Sequence, residues 1–246
     1  KATSNICTAQ ALLATMAGFY AVYHGPEGIR TIAERIHSIA VFLEESINRL
    51  GYKQVNVQYF DTLRFALPDT ISAQQIRTIA LSKEVNLRYF KNGDVGMSID
   101  ETTDITAVNV LLSIFAIAAG RDWEKASDVP MASSISAEMK RQSTYLTHEV
   151  FNKYHTETEM MRYIKRLDRK DISLAHSMIS LGSCTMKLNA AVEMMPLSLA
   201  EFTNIHPFAP ASQTEGYLEM IRELEHDLAA ITGFAGCSLP PESGAS

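Results

Sequence analysis

Leu87-Arg88-Tyr89-Phe90-Lys91-Asn92-Gly93-Asp94-Val95-Gly96-Met97-Ser98-Ile99 reads as a β-hairpin. Asn-Gly between two short apolar runs suits the tight turn whose central residues take positive φ. The hairpin sits in helical surroundings, so it makes the first half of the chain a mixed fold. Upstream, Val55, Val57 and Tyr59 alternate with polar residues, as do Leu63, Phe65 and Leu67. A period of two predicts two more strands, with Asp61 at a turn. Ser72-x-x-Gln75 is a capping box and opens a short helix through Ile76, Ile79 and Ala80. Downstream, Val108, Leu111, Leu112 and Phe115 share one helical face.

Further out the period is helical. The Ala-rich stretch from about 8 to 23 predicts a buried helix. His24-Gly25-Pro26-Glu27-Gly28 breaks it, and Pro26 suits the first turn of a second helix. That helix carries Ile29, Ile32, Ile36, Ile39, Leu43, Ile47 and Leu50 and ends at Gly51. Residues 1–120 therefore read as an α+β domain. The periodic signal weakens over 121–155, which reads as connection. Thr156-x-x-Glu159 is a second capping box and begins a new helix through Met160, Ile164 and Leu167. Tyr217, Ile221, Leu224, Leu228 and Ile231 predict another, ended by Gly233, and Cys237–Leu239 is a candidate strand.

Composition sets the outer bounds. A chain of 246 residues with 46% hydrophobic content can bury a core. A net charge of −6 and the absence of any basic run argue against nucleic-acid binding. The longest apolar run, 108–119, is too short to span a bilayer. Three scattered cysteines, Cys7, Cys184 and Cys237, point to a reducing compartment. No CxxC or HExxH motif marks a metal site.

The densest polar chemistry lies in Ser180-Leu181-Gly182-Ser183-Cys184-Thr185-Met186-Lys187-Leu188-Asn189. Ser183 and Thr185 can donate hydrogen bonds to a small anion, and Lys187 adds charge. The same hydroxyls can equally bond their own backbone. His206, before Pro207 and Phe208, can stack or titrate, or it can cap a turn. Both readings of each residue stand on local chemistry.

Together these segments resemble one family. Lys1-Ala2-Thr3-Ser4-Asn5-Ile6-Cys7-Thr8-Ala9-Gln10, Phe60-Asp61-Thr62-Leu63, Asp100-Glu101-Thr102-Thr103, Leu146-Thr147-His148, Val150 to His155, Ser180 to Asn189, Ile205 to Phe208 and Ser243-Gly244-Ala245 look like the P-protein family of the glycine cleavage system, glycine dehydrogenase (decarboxylating). The resemblance runs in order along essentially the whole chain.

It implies an α/β fold, the aspartate-aminotransferase-like fold type I of pyridoxal 5'-phosphate enzymes, present here in part. Residues 1–120 would be the C-terminal small domain of a first half that has lost the cofactor. Residues 121–155 would join the halves, and 156–246 would open the cofactor-binding second half. It also implies glycine as substrate, with the aminomethyl group passed to the lipoyl disulfide of the H-protein. By the same resemblance Ser243, Gly244, Ala245 and His206 would bind cofactor, and Ser183, Thr185 and Lys187 would line the substrate site. Pro240, Glu242 and Ser246 depart from the family's usual glutamine, asparagine and glutamine. The family's Schiff-base lysine follows a histidine in a His-Lys-Thr context, and this chain has no such triplet. The 246 residues alone are therefore expected to be inactive, a segment of a longer, homodimeric enzyme. A bacterial cytoplasm is favoured over a mitochondrial matrix. The rival class is a catalytically dead scaffold or interaction module of the same family.

Overall fold

The computed structural model describes residues 9–170 and 190–239, with side chains from residue 12 onward. It divides into two compact units, residues 21–155 and residues 1–20 with 156–246.

The first unit begins inside α1 (Ala9–Arg49). The expected break is there, reduced to one residue: Gly25 leaves the helix at φ 63 and ψ −178, and Pro26 starts the next turn. A Cβ at Gly25 would lie 2.7 Å from the Phe151 carbonyl oxygen and 2.8 Å from His155 Cε1. The glycine thus serves both the backbone conformation and a close approach.

After α1 the chain forms β1 (Lys53–Gln54) and β2 (Thr62–Ala66), then α2 (Ala73–Ser82). The hairpin β3 (Arg88–Tyr89) and β4 (Val95–Ser98) follows, then α3 (Ile105–Ala119). The sheet is antiparallel throughout, in the order β1-β2-β4-β3. Gly93 supplies the positive φ of 92° at the Asn-Gly turn. The register pairs Leu63 with Met97 and Phe65 with Val95, which puts four apolar side chains into the core. Ile39, Leu43 and Ile47 of α1, Ile76 and Ala80 of α2, and Val108, Leu112 and Phe115 of α3 close it. The sequence-predicted cap of α2 has its side-chain bond, Gln75 N donating to Ser72 Oγ at 3.1 Å, and Asp104 caps α3 in the same way, its Oδ1 accepting from Ala107 N at 2.8 Å. The Gln75 side chain does not complete the box. It reaches across to the Ala118 carbonyl at 3.2 Å.

One strand prediction fails. Residues 55–61 leave the sheet, and Val57 is fully exposed. The aromatic side chains redirect this segment onto α1. Tyr59 Oη donates to Glu44, and the Phe60 ring stacks on His37 at 5.6 Å and 4°.

Residues 121–155 contain no strand and no α-helix, yet they are tied down by polar side chains. Asn109 both donates to the Ala126 carbonyl and accepts from Ala126 N, each at 2.9 Å. Ala132 N donates to Ser38 Oγ at 3.1 Å, and Tyr145 Oη donates to the Pro26 carbonyl at 2.5 Å.

Besides the first turns of α1, the described α-helices of the second unit are α4 (Glu157–Asp168), α5 (Ala191–Met194), α6 (Ala200–Thr203) and α7 (Glu215–Thr232). Thr156 caps α4, accepting from Glu159 N at 3.3 Å, and Gly233 ends α7 with φ 73. The candidate strand at Cys237–Leu239 is not formed: residues 234–239 are irregular, having no neighbouring strand to pair with among the described residues. None of these four helices buries a side chain.

Candidate functional site

Of the residues expected to hold ligand, the described structure contains His206. Ser183, Thr185, Lys187, Ser243, Gly244 and Ala245 lie outside the described residues. His206 sits in the exposed loop between α6 and α7. Its Nδ1 accepts from Phe208 N at 3.0 Å, which leaves the proton of the neutral ring on Nε2. Its ring lies 5.7 Å from the Phe208 ring at 44°. The loop is pinned at both ends, because Tyr217 Oη donates to the Phe202 carbonyl and the two rings meet edge-on at 5.7 Å.

A phosphate-bearing cofactor needs a cradle of converging donors and a shielded ring partner. The described residues do not fit that requirement. Residues 190–239 bury nothing, and the two buried polar atoms without a partner, Gln54 Nε2 and Tyr89 Oη, belong to the other unit. Among the described residues no three histidine, cysteine or acidic side chains come together as a metal site. No described helix is long and apolar enough to cross a membrane.

A groove of about 1410 Å³ lies in the first unit between α1 and residues 131–147. His37, Arg30, Glu34, Lys140, Arg141 and Tyr145 line it. His37 is almost wholly buried, and both ring nitrogens are engaged. Nδ1 donates to the Phe60 carbonyl at 2.8 Å, while Nε2 accepts from Ser134 N at 3.0 Å. A ring used on both sides has no nitrogen left for proton transfer. It fixes the loop and the connection against α1. Nearby, Tyr59 is pushed up to about 12 by burial, then by its hydrogen bond to Glu44. That phenol keeps its proton at neutral pH and serves as a donor. Sequence reading passed over His37, although the polar pair His37-Ser38 between Ile36 and Ile39 on an apolar helix was the available signal.

The comparisons with known proteins all point one way. The family model described as Glycine cleavage system P-protein matches residues 1–115. All 246 residues align at 76% identity with the glycine dehydrogenase (decarboxylating) of Bacteroides fragilis (strain YCH46), covering 100% of this chain and 26% of that protein. Along its whole length the chain is similar to this enzyme, and its first 115 residues match the P-protein family model. The Bacteroides thetaiotaomicron protein of the same name is 74% identical over 246 residues, again 100% of this chain and 26% of that protein. The Flavobacterium johnsoniae one is 52% identical over 245 residues, 100% of this chain and 25% of that protein. The chain thus spans about a quarter of the length of the curated P-protein relatives it matches.

Proposed function

We propose that the chain is the stretch of a P-protein at which its two homologous halves meet. Residues 1–120 are the small domain of the half without cofactor, 121–155 the connection, and 156–246 the opening of the cofactor-binding half, all in a fold type I framework. The whole protein removes the carboxylate of glycine as carbon dioxide and passes the aminomethyl group to the lipoyl disulfide of the H-protein. Pyridoxal 5'-phosphate, as its cofactor, would supply the electron sink. Ser183 and Thr185 hydrogen-bond the glycine carboxylate, and Lys187 offsets its charge. Ser243, Gly244, Ala245 and His206 belong to the cofactor side. The assembled enzyme is a homodimer of the bacterial cytoplasm.

The observation that carries this reading is 76% identity sustained over every residue of the chain. A chimaera tests it: the matching segment of the Bacteroides fragilis protein is replaced by these 246 residues. Release of labelled carbon dioxide from glycine, dependent on lipoylated H-protein, should match the parent. A folded, dimeric chimaera without that activity overturns the proposal. In the active chimaera, Lys187→Met should raise KM for glycine more than it lowers kcat. The 246-residue polypeptide by itself, with no His-Lys-Thr lysine, should release none.

A further inference from the structure

Residues 131–147 form a strap along the groove, anchored to α1 at both ends. At the near end two neighbours on α1 take successive parts of it. Ser38 Oγ accepts from Ala132 N at 3.1 Å, and His37 Nε2 accepts from Ser134 N at 3.0 Å. At the far end Tyr145 Oη donates to the Pro26 carbonyl at 2.5 Å. Between the anchors residues 136–144 are exposed and form one short helical turn, Ala137–Met139.

The two near-end anchors differ in kind. A serine hydroxyl accepts at any pH near neutrality, whereas an imidazole nitrogen accepts only while it carries no proton. His37 is 2% exposed, its Nδ1 donates to the Phe60 carbonyl at 2.8 Å, and the Phe60 ring stacks on it. Neither ring nitrogen meets a carboxylate. A proton added at Nε2 would face the Ser134 N–H, donor against donor. It would also leave a buried cation with no counter-charge bonded to it. Both faults are relieved when the strap swings off the ring, and water reaches Nε2 from the side of Ser134, which is exposed. The charges around the ring are mixed. On α1, Arg30 and Glu34 line the same groove, and Glu44 accepts from Tyr59 of the neighbouring loop, which also carries Asp61. On the strap, Lys140, Arg141 and Tyr145 line it. Ser134 Oγ, 3.3 Å from Nε2, is the rival acceptor. Turning to take the new proton would keep the strap in place and leave the Ser134 N–H unpaired.

We propose that His37 and Ser134 form a proton-operated latch on the groove. With the imidazole neutral the strap is held. Protonation at Nε2 releases residues 133–144, while Ser38 and Tyr145 keep the two ends attached. The released form binds the extra proton and the latched form does not, so the latch tightens as the pH rises and opens as it falls. The window is that of imidazole, about pH 5 to 8.

Hydrogen exchange of the 246-residue chain at stepped pH, corrected for the intrinsic pH dependence of exchange, tests this. Protection of the Ser134 amide should fall about tenfold per pH unit once the imidazole begins to charge. Ala132, held by Ser38, should stay protected. Trp123, the single tryptophan, packs against the core and should keep its emission. In His37→Gln the amide oxygen accepts at every pH, so Ser134 should stay protected across the window. The other histidines, among them the exposed His148 and His155 beyond the strap, remain in that variant. A pH response that survives in it belongs to them and overturns the latch. Nitrogen NMR of the His37 ring in the unsubstituted chain decides the matter if the variant fails to fold. The neutral ring should carry its proton on Nδ1, and imidazolium should grow in step with the loss of Ser134 protection. Proton uptake with Ser134 still protected would show that the hydroxyl takes over, and overturns the proposal. A ring that stays neutral throughout the window overturns it as well.

Discussion

Residues 21–155 and residues 190–239 are built from similar material and reach opposite outcomes. The first stretch encloses Leu43, Ile47, Leu63, Phe65, Ile76, Ile114 and Phe115 almost completely. The second is richer in methionine, leucine and phenylalanine, and yet leaves Met195, Leu197, Phe202, Phe208, Ile231 and Phe234 in solvent. The difference is non-local pairing. In the first stretch β2 and β4 lie side by side, so two rows of apolar side chains face one layer of helices. In the second the described elements are helices and turns without a strand among them. Amphipathic helices do not close a core unless something presents a matching apolar face.

The widest contrast should come from one truncation in each region. Phe115 is fully buried, packs on Phe65 at 5.7 Å and meets the Tyr52 ring edge-on at 5.0 Å. Phe115→Ala should cost about 3–5 kcal/mol of the urea-unfolding free energy. Leu224→Ala, at a site 47% exposed, should cost less than about 1 kcal/mol. Similar costs at the two sites would show that α7 is already packed in this chain, and the comparison would break.

Gly25→Ala comes next. The change places a methyl group against the Phe151 carbonyl and the His155 ring, at a φ of 63°. Strain of this kind costs about 1–3 kcal/mol. It acts where His155 Nδ1 donates to the Tyr23 carbonyl at 2.7 Å and closes the end of the connection on α1. Limited proteolysis should show faster cleavage within 145–155, with 62–119 still resistant. Unchanged cleavage would mean that the connection is held by Asn109, Ser38 and His37 alone.

High pH probes the closed unit by a third route. Burial raises the Tyr52 phenol from 10.0 to about 12, while its Oη donates to the Phe115 carbonyl at 2.8 Å. The folded state therefore holds this proton more tightly than the unfolded chain. The contribution is complete below pH 10 and is lost as the pH rises through 12. Stability measured by urea at stepped pH should bend downward across that window, and Tyr52→Phe should flatten the bend. An identical bend in Tyr52→Phe would assign the effect to other groups.

Legibility in the sequence divides along the same line as the packing. The hairpin at Asn92-Gly93, the helices of the first half and the caps at Ser72 and Thr156 were readable because their signals are local: a turn dipeptide, a period, a hydroxyl at a helix start. Val55-x-Val57-x-Tyr59 misled because alternation reports two-sidedness and does not report a strand partner. The aromatic contacts with His37 and Glu44 that redirect this segment are set by α1, some twenty residues earlier. The tethering of 121–155 was invisible for the same reason, since Asn109 and Ser38 look like ordinary polar residues on helices. Of the candidate site, the motif Ser180–Asn189 and the turn Ser243–Ala245 were recognisable as family signatures, while their geometry falls outside the described residues. A signature carries identity in consecutive residues. A site needs distant ones to converge.

The smallest effect separates the two units most cleanly, because the same local device appears in each. Ser72 caps α2 and Thr156 caps α4, with backbone bonds of 3.1 and 3.3 Å. Removing either hydroxyl costs its own helix about 1 kcal/mol. The consequence depends on coupling. α2 buries Ile76 and Ala80 in the common core, so Ser72→Ala should lower the whole unfolding transition of 21–155 by that amount. α4 buries nothing, so the loss in Thr156→Ala should stay within α4. It should appear as faster amide exchange over 157–168, with the main transition unmoved. A main transition lowered equally by both variants would show that α4 unfolds together with the closed core, and the contrast between the two regions would then be one of exposure without one of cooperativity.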